Sequence, residues 1–367
     1  MKIARYSLIA VLSCILSVLT GCKDWIDDNL DNCAAEIAIT YELRLVTNIQ
    51  TEMATELDQA EDSYVRTALE GYLKDIFTDY ARDLDLSFYD MVGENPLLHH
   101  ESEVMNASQT SYTLHLPAQN YMHNAAANIQ GNGVVTIQDA GYGHKACFEQ
   151  TSNGTSALVN SSAMMSYAGA SDSVGTHKTG LFAGRLKEMD IQAGVKEQVF
   201  SVTLNMTNSA TALVIDTTGS NIKEIKVFST GFATGFMLAD SVFNYPSTFP
   251  IVKNDELNVT GGSQRCFASV NFPSKDTPGS RIVIETSDPF VSVGSSEALW
   301  EWHCYAKLPD GTVTRSVLSV KKPLRAGQLE IVKARAFDNG VISTDAPLVG
   351  VSVTLDWNPG GHYDPIL

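Results

Sequence analysis

The sequence predicts an all-β protein made of two β-sandwich domains in tandem, with one helical insertion in the first domain. Apolar residues recur at every second position in many short stretches, and this alternation indicates half-buried strands. Turn-forming residues separate these stretches, and one segment has the period of an amphipathic helix. The chain has 367 residues, which is enough for about two domains of ordinary size.

A polar, glycine-containing break at residues 187–196 is the predicted boundary between the two domains. It gives an N-terminal sandwich at residues 34–192 and a C-terminal sandwich at residues 193–367. The first of these opens with strict alternation of apolar and polar residues at 35–45, which predicts a long half-buried strand.

The predicted helix lies near residues 62–82, where Asp62 or Ser63 can cap its N-terminus. Gly71 costs such a helix about 1 kcal/mol relative to alanine, so packing must stabilise it. We expect the helix to cover the sheet of the first sandwich rather than to bind a partner.

The N-terminus has the pattern of an exported bacterial lipoprotein. Two cations precede an apolar run at residues 6–19, which is too short to span a bilayer. Residues 19–22 read LTGC, the order that lipoprotein processing recognises. We therefore predict a signal peptide at residues 1–21 and a covalent lipid such as palmitate on Cys22. An ordinary signal peptide with a chance cysteine is the alternative. Several acyl chains on one residue give a stable anchor, because each buried methylene contributes about 0.8 kcal/mol.

Residues 22–33 are acidic and prone to turns, which indicates a solvated leash between the lipid and the fold. The formal net charge of the chain is −17, which excludes nucleic acid and anionic lipid headgroups as partners. No second apolar run reaches membrane length, so we expect the lipid alone to hold the protein to the outer membrane, with its body exposed at the cell surface.

Four cysteines besides Cys22 remain after the signal peptide: Cys33, Cys147, Cys266 and Cys304. An oxidising export compartment allows them to pair, and three connectivities are possible. We favour one bridge in each domain, Cys33–Cys147 and Cys266–Cys304. The alternative is that all four are small buried core residues. No C-x-x-C spacing supports a zinc or redox site.

The sequence contains no catalytic, phosphate-binding or metal-binding motif. His99 and His100 are adjacent, so on a strand they point to opposite faces and do not readily share a metal. Three nearby acids do not by their spacing define the carboxylate pair of a glycosidase. These acids are Asp83, Asp85 and Asp90. We therefore predict that the protein is not an enzyme and has no metal and no cofactor.

Trp300 and Trp302 alternate on the predicted strand that carries Cys304. Exposed, coplanar rings here and at Trp357 would suit a glycan-binding lipoprotein, which is the alternative function. The same alternation favours burial of the tryptophans in the core. An exported hydrolase is a third hypothesis, and it requires a deep pocket with two convergent acids.

Several stretches share the pattern of one known family. Residues 27–33 read DDNLDNC and directly precede the long alternating strand. Residues 114–128 match a strand, turn and strand of the pattern, and residues 181–184, which read LFAG, match the end of its first domain. Residues 324–329 and 356–357 match its last strands. On these stretches the chain resembles the fimbrillin-associated anchor lipoproteins of type V (Bacteroides-type) pili.

The resemblance implies two transthyretin-like sandwiches, anchored by lipid in the outer membrane, that hold the base of a fimbrium and limit its length. It also implies fimbrial subunits as partners, joined by addition of a strand to a sheet. The terminal alternating run is a candidate for this pairing, and the alternative is that it completes its own sandwich. Its apolar positions are Val349, Val351, Val353, Leu355 and Trp357.

Overall fold

The computed structural model confirms an all-β architecture, with one helix, α1 (Ser63–Ile76), in the part of the chain that it describes. The described residues are 36–46, 62–76, 82–90, 98–105, 109–129, 135–137, 148–150, 156–158, 164–167, 173–177, 180–238, 241–276, 298–344 and 351–358.

The strands of the first half, in chain order, are β1 (Glu36–Val46), β2 (Arg82–Asp90), β3 (Leu98–Met105), β4 (Ser111–Pro117), β5 (Asn120–Ile129), β6 (Val135–Ile137), β7 (Phe148–Gln150), β8 (Ser156–Leu158), β9 (Met164–Tyr167), β10 (Ser173–Gly175), β11 (Phe182–Asp190) and β12 (Gln198–Met206). Those of the second half are β13 (Ser209–Asp216), β14 (Glu224–Thr230), β15 (Gly235–Met237), β16 (Val242–Asn244), β17 (Ile251–Lys253), β18 (Asp255–Leu257), β19 (Gln264–Asn271), β20 (Trp300–Lys307), β21 (Val313–Val320), β22 (Leu329–Ala336), β23 (Ile342–Ser343) and β24 (Val351–Asn358).

Hydrogen bonds join these strands into three main sheets. A seven-stranded sheet has the order β3-β2-β5-β11-β12-β1-β4. A six-stranded sheet has the order β10-β17-β14-β20-β21-β24, and a five-stranded sheet has the order β18-β19-β13-β22-β23. Two smaller sheets, β16-β15-β9-β6 and β7-β8, complete the described strands.

The seven-stranded sheet forms the first sandwich by folding over on itself. β11 and β12 pair at only two positions, Phe182↔Met206 and Ala183↔Asn205, and beyond them β11 continues beside β5 and β12 beside β1. The sheet therefore divides into two leaves, β3-β2-β5-β11 and β12-β1-β4. Strands with alternating apolar residues supply its core, and β4 alternates exposed and buried residues.

The five-stranded and six-stranded sheets face each other in the second sandwich. Leu213 and Phe267 of the five-stranded sheet share a core with Trp302 and Leu318 of the six-stranded sheet. The opposite face of the five-stranded sheet is also covered, because Ala212 and its neighbours join the core of the first sandwich and α1. Strand β13 is consequently buried along almost its whole length instead of alternating.

Helix α1 lies where the sequence predicts a helix, but it packs on a different sheet from the one expected. Its buried residues Val65, Leu69 and Leu73 fall at i, i+4 and i+8, and Asp62 accepts the first helical backbone bond from Arg66. The helix contacts β18 and β19 of the five-stranded sheet. It is thus inserted in the first sandwich but packs on the second, whereas the sequence placed it over the first sheet.

The change from one sandwich to the next also lies later than the sequence placed it. The predicted boundary, 192/193, falls between β11 and β12, which are neighbours in the seven-stranded sheet. The five-stranded sheet begins with β13, so the change occurs at Thr207 and Asn208. Strand β10, from before the predicted boundary, pairs in parallel with β17 of the six-stranded sheet. The first half therefore contributes a strand to a sheet of the second half, in addition to packing against it.

Candidate strand-pairing edge

The terminal strand β24 forms one edge of the six-stranded sheet and pairs antiparallel with β21. Its register places Val351 opposite Val320 and Val353 opposite Leu318, two residues that belong to the core of the second sandwich. The strand therefore completes its own sheet, which was the alternative to pairing with a subunit. Since an edge strand has a neighbour on one side, both roles are compatible with this position.

The two tryptophans of β20, two strands in from this edge, are core residues. Trp300 and Trp302 are both 0% exposed, and their rings meet edge-on with centroids 4.4 Å apart. The indole N–H of Trp300 donates to the backbone oxygen of Lys322 at 3.0 Å, which satisfies its polar group inside the protein. Neither ring can stack on a sugar, so the platform required for glycan binding is absent at these two residues.

Cys266 and Cys304 are free, buried thiols, so the predicted bridge between them is wrong. Cys266 on β19 packs in the core that contains α1, whereas Cys304 on β20 packs in the core between the five-stranded and six-stranded sheets. Burial raises the pKa of Cys266 to about 12 and raises that of Cys304 still further. Both thiols are thus protonated and unreactive, as expected of the alternative, small core residues.

Three buried residues on the six-stranded sheet come nearest to a catalytic arrangement. His303 Nε2 lies 3.1 Å from Glu301 Oε2, and Ser319 Oγ donates to Glu301 Oε1 at 2.9 Å. All three are at most 2% exposed. Serine and histidine each contact the acid rather than one another, so this cluster does not activate a nucleophile. Across the described residues, no group of three or more His, Cys, Asp or Glu is placed to hold a metal ion.

The contacts that hold α1 on the second sandwich were not found by sequence reasoning. The Asp62 carboxylate, 1% exposed, accepts a hydrogen bond from Lys333 Nζ and another from Gln264 Nε2 at 3.1 Å. A lysine on β22 and an acid at a helix start were the only sequence signals. These two residues are 271 positions apart, and nothing in their spacing connects them.

The middle and the exposed face of α1 make further contacts. Tyr72 Oη donates to Asp255 Oδ2 at 3.2 Å and lies 3.2 Å from Thr176 Oγ1. Burial is the largest cause that raises the pKa of Tyr72 well above its usual value, so the hydroxyl stays protonated. The Tyr64 ring lies on Gly261, where a Cβ would meet Tyr64 Cζ at 2.6 Å. We call α1 and these partners the helix clamp.

Several predicted positions lie outside the described residues. These are the signal peptide, the leash, Cys22, Cys33, Cys147 and Val349. Asp83, Asp85 and Asp90 lie on β2, and His99 and His100 lie on β3. For these five residues the structure describes the backbone alone. No helix in the described part of the chain is both long and apolar enough to cross a bilayer.

No protein-family model and no curated protein matches the chain. Among solved structures, the fimbrial anchor protein Mfa2 from Porphyromonas gingivalis is 10% identical, with a TM-score of 0.42 over 88% of this chain and 98% of that one. The tip fimbrial protein Mfa3 from the same organism, in a form with a C-terminal truncation, is 11% identical, with a TM-score of 0.40 over 87% of this chain and 99% of that one. Similarity at this level does not establish a shared function.

Proposed function

We propose that this chain is a non-enzymatic lipoprotein of the outer membrane that holds the base of a fimbrium and limits its length. The lipoprotein pattern at residues 19–22 and the sequence resemblance to anchor lipoproteins motivate this role. The structural observation that carries it is the helix clamp. Because α1 belongs to the first sandwich and packs on the second, a pulling force on one sandwich passes to the other through a packed interface.

The edge strand β24 is the proposed contact with the fimbrial subunit. A strand from the subunit pairs with the side of β24 that has no neighbour among the described strands, where main-chain hydrogen bonds give affinity and alternate side chains give specificity. This edge belongs to the C-terminal sheet, whereas the proposed lipid is on Cys22 near the other end of the chain. A protein that pairs with the fibre through β24 and is tied to a membrane ends the fibre, and in this way it limits the fibre's length.

The buried Glu301 cluster supports a role without catalysis, because substrate cannot reach groups that are at most 2% exposed. The alternative is a glycan-binding lipoprotein that uses Trp300 and Trp302. It is not favoured, because both rings are buried in the core.

Replacement of the lipid-bearing cysteine tests the anchor. In cells that carry Cys22→Ala, we expect the protein to leave the detergent phase and fibres to be shed into the medium, as seen by electron microscopy. Cys14→Ala, within the predicted signal peptide, is the matched control and should change neither result. Fibres that stay attached to Cys22→Ala cells with unchanged length would contradict the proposal.

A charge on the edge strand tests the pairing surface. Lysine in an edge strand opposes strand addition, so Thr354→Lys in β24 should weaken capture of the fimbrial subunit in a pull-down from the same cells. Thr113→Lys is the control, since β4 is the edge of the seven-stranded sheet and Thr113 is exposed. Equal capture by both variants would exclude β24 as the contact.

A further inference from the structure

A groove of about 520 Å³ lies on the outer face of the seven-stranded sheet, where β11 and β12 separate. Its floor is formed by these two strands, and its wall is formed by the β15–β16 hairpin of the second half. We call it the junction groove. Its volume falls within the range of about 300–1,000 Å³ that small-molecule sites occupy. None of the roles proposed above uses it.

The floor of the junction groove is a row of small polar side chains. On β12, Val202, Leu204 and Met206 are buried in the core, so the residues between them face outward. These outward residues are Ser201, Thr203 and Asn205, all of them exposed and all lining the groove. Successive members stand about 7 Å apart along the strand. The row thus presents hydroxyl and amide groups at regular intervals.

The polar groups of the floor can both donate and accept hydrogen bonds. Ser201 Oγ donates to Glu42 Oε2 at 2.9 Å, which extends the polar surface onto β1. The hydroxyl of Thr203 and the amide of Asn205 also face the groove. Arg185, half-buried on β11, lines the groove on the other side of the opening.

The wall of the groove is aromatic. Phe236 and Phe243 pair across the β15–β16 hairpin with ring centroids 4.9 Å apart. Phe236 is buried, and its partner Phe243 is half-buried. The ring of Phe243 also packs against Phe272, with ring centroids 6.3 Å apart. The ring of Phe243 is therefore held in place by packing while part of it borders the groove.

We propose that the junction groove binds a short neutral saccharide. A sugar unit has many hydroxyl groups, which match the donors and acceptors of the floor, and an apolar C–H face, which matches the ring of Phe243. Pockets that combine an aromatic surface with a few polar groups fix ligand orientation in this way. A net charge of −17 repels anions at long range, so a neutral ligand fits the chain better than an anionic one. This activity is independent of the proposed fibre anchoring.

The test measures saturation transfer by NMR from the full-length protein to neutral disaccharides: maltose, lactose, cellobiose and chitobiose. The protein is kept in a detergent that has no sugar headgroup. We expect transfer to at least one disaccharide. Thr203→Val removes a hydroxyl at constant shape and should weaken binding about two- to tenfold, which corresponds to one hydrogen bond. Phe243→Ala should abolish the transfer.

Two control variants match these changes outside the groove. Thr113→Val removes an exposed hydroxyl from β4 of the same sheet, and Phe337→Ala removes a ring that is 41% exposed elsewhere. Neither should alter binding. The proposal is overturned if the wild-type protein transfers saturation to none of the disaccharides. It is equally overturned if Thr203→Val, with an unchanged circular dichroism spectrum, binds as the wild type does.

Discussion

Tyr41 donates a hydrogen bond of 2.5 Å to Nε2 of His123, although their strands, β1 and β5, are three positions apart in one sheet. In a flat sheet this separation would be about 14 Å. The bond therefore exists because the seven-stranded sheet folds into two facing leaves. His123 Nδ1 lies 3.1 Å from the backbone oxygen of Ser87, so Nδ1 carries the proton and Nε2 accepts from Tyr41.

Removing this hydroxyl should destabilise the first sandwich. Tyr41 and His123 are both 0% exposed, so Tyr41→Phe leaves a buried ring nitrogen without its donor. We expect the free energy of unfolding to fall by about 1–3 kcal/mol, measured by urea denaturation. Tyr64→Phe is the control, because Tyr64 is 53% exposed and should lose less than about 0.5 kcal/mol. Equal losses in the two variants would show that the bond between the leaves adds nothing.

The helix clamp is expected to contribute to stability, because Lys333 neutralises the almost fully buried carboxylate of Asp62. Lys333→Met should lower the free energy of unfolding by about 1–2 kcal/mol, a value reduced by the 47% exposure of the lysine. Lys322→Met is the matched control, since it breaks a more exposed pair with Glu330 on the same strand, β22.

A double-mutant cycle separates the clamp from other effects of Lys333. In an Asp62→Asn background, Lys333→Met should cost much less than in the wild type, because the carboxylate is already absent. If Lys333→Met costs no more than Lys322→Met, or the same in both backgrounds, the ion pair does not stabilise the packing of α1.

Acid should destabilise the fold through His177, which is fully buried. Burial lowers the pKa of His177 from 6.5 to about 3. Below pH 6.5 the unfolded chain binds a proton that the folded protein cannot, so the free energy of unfolding falls as pH decreases. The fall is at most about 1.4 kcal/mol per pH unit from this group, and it ends near pH 3. Above pH 6.5 His177 is neutral in the folded and the unfolded protein, so it adds no pH dependence to the free energy of unfolding.

The measurement compares urea denaturation of the wild type and His177→Gln from pH 7 to pH 4. Other groups titrate in both proteins, so the relevant quantity is the difference between the two curves. We expect it to change steadily below pH 6.5, with the variant losing less stability. Parallel curves over the whole range would show that His177 accepts its proton without cost.

The sequence predicted those elements that have one buried face. β1 and β4 alternate in sequence because one side of each lies against a core, and the strand predicted from the alternation at 35–45 is β1. β13 reads as apolar on both sides because α1 and the six-stranded sheet cover opposite faces, and alternation cannot reveal which partner lies where. The same ambiguity explains the cysteines. Cys266 and Cys304 both lie on apolar faces, but these faces belong to different cores.

The candidate sites show the same limit. The pattern of β24 was visible in the sequence, but its position at the edge of the six-stranded sheet is known only from the strand order in the structure. The junction groove was not visible, because it combines β11, β12 and the β15–β16 hairpin, and no local pattern brings these together. The late boundary between the sandwiches has a similar cause, since β12 is assigned to the first sheet by its pairing with β1 and β11, which no local sequence pattern reveals.

Two glycines should respond to alanine in opposite directions. A Cβ at Gly184 would lie 2.4 Å from the backbone oxygen of Thr203 and 2.9 Å from Leu204 Cδ2, so β11 and β12 must move apart where they diverge. We expect Gly184→Ala to lower the free energy of unfolding by about 1–3 kcal/mol.

Gly71, in contrast, is an exposed helical residue with no atom within 4 Å of an added Cβ. Gly71→Ala should stabilise α1 by about 0.5–1 kcal/mol. Thermal and urea unfolding of the two variants test both signs, and a Gly184→Ala protein as stable as the wild type would mean that the close approach of these strands is not needed for the fold.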